Sequence, residues 1–194
     1  MADISVKEGG KLLDFQVLFN SVDEVYFSNN ILTNEAAINA LSEVDMEFPV
    51  LEGGVTFDTG TAEVTEVKLT TGAIWVTKTL PGDSDISFQV ASVAGPINNL
   101  LMSKKGTGIT TTSTIEGKTY KGNSYSLAPK TVTGSLIMCA EDKQTIIILP
   151  NVTLISNFVG PDDTNPAYFN VAVTPKENGD GASIAILERQ ENII

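Results

Sequence analysis

Apolar and polar residues alternate along most of the chain beyond residue 55, and a period of two predicts strands rather than helices. In Asp85-Ile86-Ser87-Phe88-Gln89-Val90 the alternation is strict and places Ile86, Phe88 and Val90 on one face. Val55-Thr56-Phe57 leads through Asp58-Thr59-Gly60 into a strand over 62–70, whose phase changes at Glu66-Val67, where a bulge is expected. Thr71-Gly72 turns the chain into a strand over 73–80. Pro81-Gly82-Asp83-Ser84 is expected as a turn, with proline presetting φ and Gly82 supplying a positive one. Further strands are expected over 108–115, 118–120, 124–127, 132–140 and 144–149. Phe169–Thr174 and Ser183–Glu188 are expected to close the chain as a hairpin around the turn-rich loop 175–181.

The period changes in two places. Thr33 to Leu41 reads as a short helix capped by Thr33 or Asn34, or as a loop ordered only by assembly. Gly95 to Gly106 reads as the best helix, with Pro96 in its first turn, Lys104 and Lys105 near its C-terminus and Gly106 closing it. Ile97, Leu100 and Leu101 form its apolar stripe, so it is expected to lie packed on a sheet. Residues 1–54 are otherwise less regular, with short strands expected over 15–19 and 24–27 and a turn over 20–23. The pattern predicts a mainly β fold in a single domain, 1–194: a β-sandwich or partly open β-barrel with one short packed α-helix and extended loops or arms.

Composition narrows the chemistry. The chain has no histidine, which excludes Ser-His and Cys-His catalysis and imidazole-ligated zinc. Its one cysteine, Cys139, lies in the apolar run 135–140 and is expected to be a buried thiol; it permits neither an internal disulfide nor a cysteine-cluster metal site. Charged residues make up 19% of the chain, below the usual quarter, and this points to a surface that largely meets other protein. Residues 1–97 hold 4 lysines against 15 acids, a net −11, whereas residues 98–194 carry a net −1. An acidic front half opposes tight phosphate-backbone binding; it serves solubility, and it is also compatible with a surface past which nucleic acid slides.

The short motifs carry no catalytic signature. Gly9-Gly10 and Gly53-Gly54 do not follow strands that open helices, so neither is a phosphate loop. The acidic turns at 83–85, 162–163 and 177–180 lack the spacing and closing glutamate of a calcium loop. Asn151-Val152-Thr153 matches a glycosylation acceptor, but the N-terminus has no secretory pattern, so no modification is expected. No apolar run approaches the roughly 20 residues that span a bilayer. No enzyme activity, cofactor or metal is expected.

Three segments run in a telling order: 50–57, then 65–75, then 82–90, followed by a single helix at 96–105. This order resembles the major tail tube proteins of tailed bacteriophages, and 166–188 is similar to that family's last hairpin. The resemblance implies a structural virion protein, assembled in the host bacterial cytoplasm, that self-assembles into stacked hexameric rings. DNA would pass through the channel during ejection without sequence-specific binding, and the partners would be further copies and other tail proteins. It also implies acids facing the lumen, for which strand position nominates Glu63, Glu66, Asp83 and Asp85. Residues 1–54 and loops near 30–48 and 106–123 would serve ring stacking. The tube proteins of contractile injection and type VI secretion systems share this fold family and fit equally. A surface adhesin or carbohydrate-binding sandwich is a second class, disfavoured by the lack of a secretory pattern and by only one tryptophan and four tyrosines. Carboxylate-based catalysis is a third.

Overall fold

The computed structural model describes residues 19, 21–112, 117–164 and 166–189. The strand expected over 15–19 therefore lies, apart from Phe19, outside the described residues, as do Asn20 and the end of the strand expected over 108–115. The elements in order are β1 (Val22–Ser28), α1 (Glu35–Asn39), β2 (Met46–Phe48), β3 (Val50–Asp58), β4 (Glu63–Lys68), β5 (Ile74–Leu80) and β6 (Asp85–Val90). They continue with α2 (Gly95–Leu101), β7 (Ser103–Thr112), β8 (Thr119–Ser126), β9 (Thr131–Ala140), β10 (Thr145–Val159), β11 (Tyr168–Pro175) and β12 (Ala185–Glu188). The fold is mainly β, as expected, with two short helices.

Eight strands form one antiparallel sheet in the order β2-β1-β9-β10-β11-β6-β3, with β12 added beside β10. Its two edge strands, β2 and β3, are separated in sequence by Pro49 alone. Neighbouring Cα atoms are only about 3.8 Å apart, so the two edges of the sheet must meet at that residue. Pro49 suits the corner: it has no N–H to donate, and its carbonyl accepts from Ala91 N–H at 2.8 Å. Phe48 fills the closure, with ring centroids 6.2 Å from Phe27 on β1 and 5.2 Å from Phe88 on β6. The alternating positions Ile86, Phe88 and Val90 are buried in this interior, as their period predicts. Gly134 on β9 is held by a close approach: a Cβ there would strike the Ser28 carbonyl and the Phe27 ring.

The run 135–140 is buried on both faces. Leu136 and Met138 join the interior, while Ile137 and Cys139 pack outward with Leu32 and Ile148. Ala37 and Ile38 of α1 cover that outer cluster, and Asn34 caps α1 by accepting from the Ala37 N–H at 2.9 Å. Cys139 is buried as expected, and desolvation raises its thiol pKa.

Several expectations need correction. Residues 22 and 23 belong to β1 rather than to a turn. The helix α2 ends at Leu101, where Met102 is already extended, at φ −119° and ψ 152°. Lys104, Lys105 and Gly106 then lie in β7, because Ser103 and Lys104 pair with Ser126 and Tyr125 and the Thr-rich run beyond them has no apolar stripe to hold a helix down. Within α2, Ile97 and Leu101 are buried and Leu100 packs half-buried against the core, so the expected stripe is in place. The segments 169–174 and 183–188 do not pair with each other; β11 pairs with the second half of β10 and β12 with its first. The strand β10 runs through Pro150 because the ladder is irregular between Leu149 and Val152, where proline costs no ladder bond.

Because Phe48 is buried at the corner between the edges, Phe48→Ala is expected to cost about 3–5 kcal/mol. Urea unfolding would show this as a lower midpoint with an unchanged slope.

Candidate functional site

Two hairpins stand outside the eight-stranded sheet, β4–β5 and β7–β8, and among the described residues each pairs only within itself. The first continues the β3–β6 ladder. That ladder ends at Asp58 opposite Asp85, and pairing resumes at Glu63 opposite Leu80. In the gap the two connections cross in contact: a Cβ on Gly82 would strike the Thr61 carbonyl, and one on Gly60 the Asp83 carbonyl. Gly82 is therefore required by close approach. It does not take the positive φ expected of it, whereas Gly60 does, at 81°. The hairpin turn falls where expected, with Gly72 at φ 83° and its N–H on the Leu69 carbonyl at 2.8 Å.

Every residue of β4 and β5 is exposed, so neither face is covered. Six of the thirteen side chains are nonetheless apolar; among them Val64, Val67, Ile74 and Val76 are 46–60% exposed and Trp75 69%. Register shifts where Val67 pairs with Val76 and Lys68 with Ile74, which leaves Trp75 as the extra residue of a bulge. A bulge was expected on β4 at Glu66-Val67; it lies on the partner strand opposite that place. A two-stranded hairpin with no covered face is marginal in water, and its free edges and apolar faces invite another chain.

The four nominated acids do not share one face. Glu63 pairs with Leu80 and Glu66 with Thr77, three pairs along an alternating ladder, so they point to opposite faces. Glu66 also lies 3.5 Å from Lys68 Nζ, an exposed pair that contributes little. Asp83 sits in the connection and Asp85 at the hairpin base, facing Asp58.

The second hairpin is tied to α2 at its base: Tyr125 Oη donates to Asn99 Oδ1 at 2.8 Å. Its pairing sorts Lys104 and Lys121 onto one face, and Ile109 and Tyr120, each 53% exposed, onto the other. Residues 103–126 carry four lysines against one glutamate, a net +3, so the rest of the chain carries −15. Sequence reading placed Lys104 and Lys105 at a helix end and Lys118 in a separate short strand, and so missed a basic hairpin. The signal was present in the pairing potential of 103–112 with 119–126.

At the β9–β10 turn, Lys143 takes a left-handed φ of 56° and reaches Asp23 Oδ2 at 2.8 Å and Glu24 Oε1 at 2.6 Å. Tyr26 Oη donates to Glu24 Oε2 at 2.7 Å. The hydrogen bonds from Lys143 and then Tyr26 hold the Glu24 carboxyl below its usual range. Glu24 in turn pushes the Tyr26 phenol up to about 12, and Asp23 and Glu24 raise the Lys143 ammonium. Among the described residues, no group of three or more Cys, Asp or Glu side chains is placed to hold a metal ion, and no helix is long and apolar enough to cross a membrane.

No protein-family model matches the chain, and no curated protein matches its sequence.

The charge cluster gives a pH prediction. Lys143 and Tyr26, raised on folding, contribute fully below their unfolded pKa values of about 10 and lose that contribution as pH rises through the folded values. Glu24, lowered on folding, contributes above its unfolded value of about 4.3 and loses it as pH falls through the folded one. Lys143→Ala should therefore lower the thermal midpoint most between about pH 5 and 10. The three groups are partly exposed, so the decrement should be small and should shrink in about 1 M NaCl.

Proposed function

We propose that this chain is a structural subunit of the bacteriophage tail tube kind, which self-assembles into stacked hexameric rings around a channel for DNA. The observation that carries the reading is the β4–β5 hairpin, with apolar side chains on both faces and every residue exposed. Such a surface persists when other copies cover it. The β7–β8 hairpin offers a second pair of free strand edges, and joining edges between copies around a ring would leave none unpaired. The order of segments 50–57, 65–75 and 82–90 before a single packed helix supports the same reading by resemblance. The ring size and the passage of DNA rest on that resemblance alone.

In a tube, Glu63 and Glu66 would serve different surfaces, since they occupy opposite faces of one hairpin. A negative lumen would keep DNA from sticking.

Electron microscopy of concentrated protein is expected to show rings or hollow tubes. Val67→Asp with Val76→Asp should abolish them while leaving the thermal midpoint of dilute protein unchanged, because both side chains lie outside the core. A monodisperse monomer that binds glycans would contradict the reading. Lysines introduced together at Glu63, Glu66, Asp83 and Asp85 are expected to impair DNA delivery more than assembly; equal loss of both would remove the lumenal role.

A further inference from the structure

Charge is divided within this chain in a way that its own fold leaves unreconciled. The β7–β8 hairpin is basic, and among the described residues Lys104, Lys105 and Lys121 have no ion-pair partner. Elsewhere a cleft of about 580 Å³ opens beside the β9–β10 turn, and Asp23, Glu52 and Glu141 line it together with Val22, Val50 and Leu51. Lys143 neutralises Asp23 there. Among the described residues, Glu141 accepts a hydroxyl, from Ser21 at 2.9 Å, and neither Glu52 nor Glu141 has an ion-pair partner. One surface of the molecule thus presents unpaired cations on a projecting hairpin, and another presents unpaired carboxylates in a recess.

We propose that the lysine-bearing β7–β8 hairpin docks into the Glu52–Glu141 cleft of a second copy of this chain. The proposal rests on the self-assembly reading and names the contact that gives it direction: hairpin of one copy to cleft of the next. Such a contact is heterologous, the kind that closes into a ring when the rotation between copies allows. Two copies of net charge −12 repel at long range. That repulsion is screened beyond about 8 Å at physiological salt, whereas opposite charges in contact are screened much less, so complementary patches can set the docking register. Nucleic acid is the weaker partner for these lysines, because the remaining −15 of the chain repels a phosphate backbone and three cations make few contacts.

The test uses the full chain in sedimentation velocity at about 0.15 M NaCl. Four variants are compared with the wild type: the hairpin reversal Lys104→Glu/Lys105→Glu/Lys121→Glu; the cleft reversal Glu52→Lys/Glu141→Lys; the two combined; and the hairpin reversal with Glu177→Lys/Glu188→Lys. The last has the same net charge as the combined variant but leaves the cleft intact. Circular dichroism of dilute protein checks that each is folded. Each single reversal is expected to weaken association about tenfold or more, and the combined variant to regain most of it, as compensating charge pairs do. The charge-matched control should remain weak.

If the wild type assembles and the reversals have no effect, or the control recovers as well as the combined variant, the docking is overturned while self-assembly stands. If the wild type is a monomer at every concentration, both fail together. If the hairpin reversal removes duplex DNA binding in a mobility-shift assay and leaves association unchanged, the hairpin is a nucleic-acid contact and the docking is overturned.

Discussion

The fold depends on one connection. The sheet's first and last strands are joined through Pro49, so the sheet has to curl until its edges touch. The curl makes an enclosed interior, and Phe48, set between Phe27 and Phe88, occupies the place where the edges meet. The buried faces of β6, β9, β10 and β11 line the rest of that interior, and α2 closes it with Ile97 and Leu101. A flat sheet of the same strands would leave these apolar faces in water, at about 25 cal/mol for each Å² exposed.

Closure also decides what remains outside. Strands β3 and β6 pair up to Asp58 and Asp85, beyond which the chain passes through the glycine crossing and continues as a ribbon that, among the described residues, pairs with no other strand. On the other side of β6 the chain enters α2 and emerges directly as β7, so one strand of the body is flanked in sequence by both projecting hairpins. The body is self-sufficient in hydrophobic burial, and the hairpins are not. The result is a sealed interior beside two uncovered ribbons.

Much of this was legible in the sequence. Strict alternation located β6, and the turn at Gly72 and the Asn34 cap were readable because each depends on a few adjacent residues. The helix α2 was found but overextended, since two lysines and a glycine mimic a helix end, while the strand pairing that claims them involves residues twenty positions away. The end of β10 was missed because Pro150 reads as a stop unless the ladder is known to bulge there. The partners of β11 and β12 were missed because pairing across a sheet is non-local. Residue patterns fix which faces of a strand are apolar, but not whether the chain itself will cover them, so the exposure of Val67, Val76 and Trp75 needed the structure. The same limit applies to Glu63, Glu66, Asp83 and Asp85, which were grouped by strand position and are divided between faces and a connection.

The central claim is that the two hairpins are uncovered in the single chain and covered by other copies in the assembled state. Hydrogen-exchange mass spectrometry on dilute and concentrated protein tests it directly. Amides of 63–80 and 103–112 should exchange rapidly in dilute protein and gain strong protection on concentration, while those of β9 and β10 stay protected in both. Protection of the hairpins already present in dilute monomer, or no change on concentration, would contradict the account.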